Sequence, residues 1–379
     1  MALPLSTYLC PLVRNALGLF VIYLVVVGIQ LVYLSVMGYG LTKAGKQPRK
    51  PHPVSVIVCA HDEEQNLREL IPLLLAQDHP EFEIIVVEDR CNDGTYDYLY
   101  QETQHHARLR MVRVVHKPDH IQGKKFGLTL GIKAARYEWL VLTDADCRPS
   151  SNHWLYRMSE CYDENTQIVL GFSPYQKSNT WLNALIRFES LLTGILYMAW
   201  AKLGKPYMGV GRNLAYTKSL FLNNKGFHEH LEVVGGDDDL FVNRWANRFN
   251  TTTVTGTDAI TLSKPKERWR DFFHQKLRHL SVGKYYRFSD KLLLSLFSFS
   301  WLLTWCLLPA IYFAPYNLVL LSLFFTRWIA LSTVMHQGSR QLGGTVEIWK
   351  VPVLDIIFAF YYLVTGLRAL VVKRVKWKN

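Results

Sequence analysis

The chain has 379 residues, 49% of them hydrophobic and 13% aromatic, which excludes a disordered polypeptide and leaves room for one large domain or two. Its formal charge of +12 at pH 7 admits a nucleic acid or an anionic membrane surface as partner. The basic residues crowd beside apolar segments, as in Lys43, Lys46, Arg49 and Lys50, then Lys264 to Lys291, then Lys373, Arg374, Lys376 and Lys378, so the distribution favours a membrane and argues against nucleic acid.

Six cysteines (Cys10, Cys59, Cys91, Cys147, Cys161, Cys306) form no CxxC pair, so neither a zinc site nor a disulfide framework is read from them, and a reducing compartment fits. From Ala16 to Met37 the chain is almost wholly apolar, with Gln30 and Ser35 the clear polar interruptions, long enough to cross about 30 Å of hydrocarbon. Residues 1–42 read as a transmembrane anchor rather than a cleaved signal peptide, because the run is too long and its Gly40 to Lys50 flank is basic. That flank predicts a following domain on the cytoplasmic face of a plasma or inner membrane.

Pro48, Pro51 and Pro53 stiffen a linker over residues 43–53. Strands are then predicted over 54–60, 83–88 and 111–116 and in the run leading to Asp144, with helices over 63–77 (despite Pro72), 95–105 and 124–136. This βαβαβαβ order predicts an α/β domain with a parallel, Rossmann-like sheet. No GxGxxG follows the first strand, which argues against NAD or FAD.

The strand ends carry the chemistry. Ala60-His61-Asp62-Glu63 follows the first strand and Glu88-Asp89-Arg90-Cys91-Asn92-Asp93-Gly94 the second, and carboxylates there suit base and ribose hydrogen bonds as well as cations. Asp89 is taken as functional, whereas Asp93 belongs to turn chemistry and can cap the next helix. Gln122-Gly123-Lys124-Lys125 opens a helix, where free amides plus a lysine can hold a phosphate. The apolar run Trp139 to Leu142 ends in Asp144 and Asp146, hard oxygen ligands for Mg²⁺ or Mn²⁺ that could neutralise a diphosphate; a solvated turn is the plainer alternative.

Further along, Leu182 to Leu203 is apolar but contains Arg187 and Glu189, and reads as a helix at the membrane interface or domain edge, a poor spanning segment. Met208 to Ala215 reads as a strand whose Gly209 and Gly211 lie near an acceptor pocket or serve a bulge. Asp237, Asp238 and Asp239 precede a helical pattern over Leu240 to Arg248, and a helix N-terminus accounts for two of them. Three more apolar segments follow: Leu292 to Phe313, Leu318 to Val334 and Val351 to Val372. If all three span, the basic tail ends outside, against the positive-inside tendency, so one is expected to be interfacial or re-entrant, the second being weakest because Arg327 sits at its centre.

Taken together, these stretches resemble the family 2 glycosyltransferases, inverting enzymes of GT-A fold. VSVIVCAHDEEQNL looks like their opening strand and turn, VVEDRCNDGT like their nucleotide-binding turn, QGKKFGLTLGI like their lysine-bearing loop and TDAD like their aspartate-x-aspartate motif. VVGGDDDLF resembles the acidic motif and QKLRH the QxxRW motif of membrane-bound members. The resemblance implies Ala60, His61, Glu63, Asp89, Lys124, Asp144 and Asp146 at the donor, with Asp89 at the uracil and Asp144 and Asp146 at Mg²⁺ or Mn²⁺. Alignment on Leu240 makes Asp237 the catalytic base, Gly236 standing for the usual glutamate, with Asp238 the fallback. The cluster's own chemistry agrees in kind, since like-charged neighbours raise a carboxylate's pKa toward that of a general base.

The resemblance also bears on Glu267 to Leu280, where Trp269, Phe272, Phe273, Leu277 and Leu280 recur at helical spacing as an amphipathic interfacial helix within residues 266–290. It would set Gln275, Arg278 and His279 at the acceptor and diphosphate, His279 replacing the family's tryptophan. The expected architecture is an N-terminal transmembrane helix, a cytoplasmic catalytic domain over 54–265 and C-terminal transmembrane segments in 291–379. The expected activity is transfer of a sugar from a UDP-sugar to a lipid or lipid-linked acceptor. A processive polysaccharide synthase and a catalytically silent scaffold are the rivals.

Overall fold

The computed structural model describes residues 6–45, 49–121, 123–313 and 316–371; Lys46, Pro48, Gln122 and the tail from Val372 onward lie outside the described residues. The apolar N-terminal stretch is a single helix, α1 (Ser6–Thr42). The alternating region folds as β1 (Val54–Ala60), α2 (Glu64–Leu75), β2 (Phe82–Asp89), α3 (Thr95–His105), β3 (Leu109–Val114), α4 (Lys125–Ala134) and β4 (Trp139–Asp144). Pro72 sits inside α2, where its missing N–H removes a single main-chain bond near the helix end. Shorter elements follow: β5 (Cys147–Pro149), α5 (Trp154–Ser159), β6 (Ile168–Leu170), α6 (Trp181–Lys202), β7 (Leu214–Thr217), α7 (Lys218–Asn223), α8 (Asp239–Trp245), β8 (Thr251–Thr253) and β9 (Thr261–Ser263).

Side-chain alternation along the long strands fixes the layers. In β1, Val54, Val56, Val58 and Ala60 join Leu67, Leu70, Ile71 and Leu74 of α2 on one face. Ile57, from the opposite face, joins Leu128 and Ile132 of α4 and the apolar side of α6. The main sheet has seven strands in the order β3-β2-β1-β4-β7-β6-β8. The four strands of the βαβαβαβ run are parallel, as expected, and β7 makes the sheet mixed. The chain reaches β7 from the carboxyl end of β4, pairing Leu214 with Leu142 and Thr217 with Trp139, and so has to run antiparallel. The strand predicted over 208–215 accordingly starts only at Leu214, the residues before it being irregular.

Strand order reverses between β1 and β4, and the register sets Cys59 beside Asp144 and Ala60 beside Glu88. Three strand ends bearing polar turns therefore open onto one crevice, the position where open α/β sheets bind ligands.

The C-terminal part forms α9 (Trp269–Val282), α10 (Phe288–Cys306), α11 (Asn317–Leu342) and α12 (Val351–Val371). Among the described residues four helices are long and apolar enough to cross a membrane: Leu17–Thr42, Trp181–Lys202, Asn317–Leu342 and Ile348–Ala369. One expectation changes here. By length and composition α6 also qualifies, but most of it is enclosed by protein, in keeping with a helix at the domain edge, and its charges are paired, Glu189 with Lys276 at 3.0 Å and Arg187 with Glu347 at 3.4 Å. The segment from Leu292 is absent from the four, since α10 stops at Cys306 and the chain turns through a 3₁₀ helix over Leu308–Phe313.

Even so, α10 runs antiparallel along α1: Tyr33 donates to the Leu293 carbonyl at 2.8 Å and Gln30 to that of Phe297 at 3.0 Å. α11 runs parallel to α1, with Tyr23 packed near Leu320 at one end and Gly38 beside Val334 at the other. Arg327, expected to weaken this segment, is fully buried and doubly bonded to the equally buried Asp355 of α12, with its guanidinium 4.5 Å from the Trp301 ring centroid. A charge in an apolar bundle is tolerated when it is neutralised in this way. At Gly40, α1 meets α6 so closely that an added Cβ would lie 2.7 Å from that of Ala199.

Candidate functional site

Lys124 joins the two halves of the site. It stands at the N-cap of α4, and its Nζ lies 2.7 Å from Asp144 Oδ1 and 3.1 Å from Asp237 Oδ2, so the turn after β4 and the loop before α8 meet at one ammonium. Burial works against its charge, but Asp144, Asp237 and Asp238 outweigh that and hold its pKa well above the usual lysine range. Its neighbour Lys125 is buried and donates to the main-chain carbonyls of Val233 and Gly235, pinning the loop in which Gly235 and Gly236 take positive φ.

The three consecutive aspartates divide their work. Asp238 caps α8 through the Asp239 N–H at 2.8 Å and also accepts from Gly211 N at 2.6 Å. Asp239 accepts from Leu240 N at 2.8 Å and from the Tyr286 hydroxyl at 2.9 Å. Asp237, 5% exposed, is left facing Lys124. Burial and then the charge of Asp237 push the Asp238 carboxyl above the ordinary range.

Asp144 and Asp146 differ in the same crevice. Burial tends to raise the Asp144 pKa, yet Lys124 and then Arg212 and Arg278 leave it below the usual aspartate value. Asp146 is raised by burial and next by Asp144 itself. Two close carboxylates, one of them disfavoured by its charged neighbour, form a hard-oxygen donor set that a divalent cation would relieve, so these residues fit Mg²⁺ or Mn²⁺.

On the other side of the crevice, the turns after β1 and β2 interlock. His61 Nδ1 lies 2.6 Å from the Asp89 carbonyl, the Ala60 carbonyl accepts from Cys91 Sγ at 3.5 Å, and Asp62 accepts from Asn92 N at 2.7 Å. Asp62 and Arg90 both take positive φ, which turns the chain sharply at each strand end. Asp89 is buried and accepts from Arg90 Nε at 2.8 Å; Glu63 accepts from Asn66 at 2.7 Å. Asp93 accepts from Glu64 N and Thr95 N, anchoring the starts of α2 and α3, as its turn chemistry suggests.

The structure thus gathers Lys124, Asp144, Asp146 and Asp237 closely, and Ala60, His61, Glu63 and Asp89 at the adjoining turns. From α9, Gln275 lies 3.4 Å from the Tyr175 hydroxyl and Arg278 acts electrostatically on Asp144. His279 is exposed on α9, beside Arg278. Sequence reasoning missed Arg212, Tyr286 and Lys125. The GVGRNLA stretch offered a signal for Arg212, an arginine between a glycine and a strand start. A further tie joins the site to the apolar helices: Asn243 of α8 donates to Asp290 of α10 at 2.8 Å and accepts from Arg287 N at 2.9 Å.

An α/β sheet with acidic turns at its switch point and an acidic helix start facing them is the layout of a GT-A transferase domain. The chain belongs to the family 2 glycosyltransferases: the Glycosyl transferase family 2 profile matches residues 55–222 and the Glycosyl transferase family group 2 profile residues 139–364. A mannosyltransferase from Pyrobaculum calidifontis, solved in complex with GDP-Man and Mn²⁺, shares the fold with a TM-score of 0.61 at 18% identity, over 95% of this chain and 96% of its own. A poly-beta-1,6-N-acetyl-D-glucosamine synthase of Staphylococcus epidermidis is 28% identical over 93 residues, 24% of this chain and 21% of that one. An uncharacterized glycosyltransferase of Haemophilus influenzae is 26% identical over 149 residues, 35% and 44% of the two chains. The matched stretches span less than half of either sequence relative.

Proposed function

We propose that this protein is a metal-dependent, inverting hexosyltransferase that moves a sugar from a UDP-sugar to a hydroxyl on a lipid or lipid-linked acceptor. The supporting observation is the Lys124 ammonium shared by Asp144 and Asp237, which puts a candidate metal-binding carboxylate and a candidate base within one charge-paired unit. Asp144 and Asp146 would hold Mg²⁺ or Mn²⁺, which supplies charge neutralisation for the diphosphate when bound. Asp89, His61, Glu63 and the Ala60 carbonyl receive the nucleoside. Asp237 takes the acceptor proton, with Asp238 the alternative base, and Arg278 offsets charge on the departing UDP, with Gln275 and His279 lining the acceptor side.

Membrane-spanning lengths in α1, α11 and α12 support an acceptor in the bilayer, and the basic flank after α1 supports a catalytic domain on the cytoplasmic face. On this reading the catalytic unit is residues 54–265, with α9 as the interfacial segment within 266–290. The shared segment with the Staphylococcus synthase favours a second reading, processive polysaccharide synthesis, and product length separates the two.

The test is UDP binding to detergent-purified protein with and without Mn²⁺, with GDP in parallel. Metal-dependent binding by wild type that is lost in Asp146→Ala supports the assignment. Absence of binding by folded wild type contradicts it and leaves the silent scaffold.

A further inference from the structure

Arg212 belongs to none of the recognised motifs, yet its main chain is fixed between two parts of the site. Gly211 N donates to Asp238 Oδ2 at 2.6 Å, and the Arg212 carbonyl accepts from Thr261 Oγ1 at 2.8 Å. The guanidinium lies over Tyr175, 4.6 Å from the ring centroid, and within electrostatic reach of Asp144 and Asp146. Its Nη1 is shut away from solvent and has no hydrogen-bond partner among the described residues. A buried charged donor without an acceptor is costly, and in a native cleft it points to an oxygen supplied by a ligand.

Lys124 does not duplicate this function, because its Nζ already serves Asp144 and Asp237. A guanidinium is permanently charged, planar and suited to phosphate oxygens, and stacking on an aromatic ring holds it in one orientation. We propose that Arg212 is a substrate-binding residue whose partly exposed guanidinium donates to the β-phosphate of the nucleotide sugar. This rests on the donor reading above.

The β-phosphate is favoured over the α-phosphate by the neighbouring chain. Gly211 is bonded to Asp238, next to the proposed base, so the guanidinium lies toward the end of the crevice where the sugar is cut from its phosphate. In the transfer, the acceptor oxygen bonds to the anomeric carbon and gives its proton to Asp237. The bond from that carbon to the β-phosphate oxygen breaks and its electron pair stays on the phosphate. Arg212 then faces one more negative charge than before, a stabilisation concentrated in the transition state.

The experiment compares UDP with UMP, in Mn²⁺, for detergent-purified wild type, Arg212→Gln and Arg212→Lys, with thermal unfolding as a check on folding. The expected result is UDP affinity lowered about tenfold or more in Arg212→Gln and less in Arg212→Lys, with UMP affinity within about twofold of wild type. Added guanidinium is expected to restore UDP binding to Arg212→Ala, a recovery that a merely structural arginine would not give. Equal weakening of UDP and UMP, or no change in either, overturns the proposal while the donor reading stands. A folded wild type that binds neither UDP nor GDP overturns both.

Discussion

Asp237 and Lys124 carry the sharpest residue-scale consequence of the site. Asp237 has given neither of its oxygens to the start of α8, unlike Asp238 and Asp239, so its replacement should leave the helix and the crevice intact. Asp237→Asn is expected to keep nucleotide affinity within about twofold while lowering kcat by about 10²–10⁴-fold, the usual contribution of a positioned base. Nucleotide binding and turnover measured on one preparation check this, and parallel loss of both would assign Asp237 to the donor instead. Asp144, Asp146 and the acidic cluster could be picked out in the sequence because carboxylates at strand ends and helix starts stand out locally. Arg212 carried only the local signal of the GVGRNLA stretch, because its value comes from Tyr175 and Thr261, which only the folded chain brings to it.

At the scale of elements, the loop after α11 is clamped to α6 through Arg187, which donates to Thr345 and to Glu347. Glu347 pairs with Lys177 at 3.0 Å, with Arg187 at 3.4 Å and, as a looser ion pair, with Lys350 at 3.8 Å. Partial burial would raise its pKa, but Lys177, a main-chain bond, Arg187 and Lys350 depress it from 4.5 to about 2. A depressed carboxylate contributes stability above its unfolded pKa and loses it as pH falls through the folded one. Glu347→Gln should therefore lower stability by about 1–3 kcal/mol near neutrality, leaving Arg187 buried with Thr345 as its remaining acceptor. Unfolding midpoints in detergent should show the deficit shrinking from pH 4.5 toward about 2; a deficit constant with pH would refute the ion-pair account. The long strands β1, β2 and β4 were legible as apolar runs, whereas β6, β8 and β9, three residues each, are defined only by their pairing. The pairing of Arg327 with Asp355 was hidden for the same reason, since the two lie on different helices.

For the whole molecule, the direction of α1, α10 and α11 sets which residues emerge on each side of a membrane. Cys306 is exposed at the end of α10 remote from the catalytic domain, while Cys91 lies in the turn after β2. With a cytoplasmic catalytic domain, a protein retaining only Cys306 should react with a membrane-impermeant maleimide on intact cells, and one retaining only Cys91 should react only after permeabilisation. The reverse pattern would invert the proposed orientation. Tyr361 at the middle of α12 stacks on Phe272 of α9 with centroids 5.2 Å apart, so the first half of α12 stays near the catalytic domain. The bonds from Asn243 to Asp290 and from Tyr286 to Asp239 have a wider consequence. They tie the acidic helix start to α10 and its preceding turn, so that helix start cannot rise or sink independently of α10. On the proposed lipid-acceptor reading, acceptors would be selected by height as well as by shape.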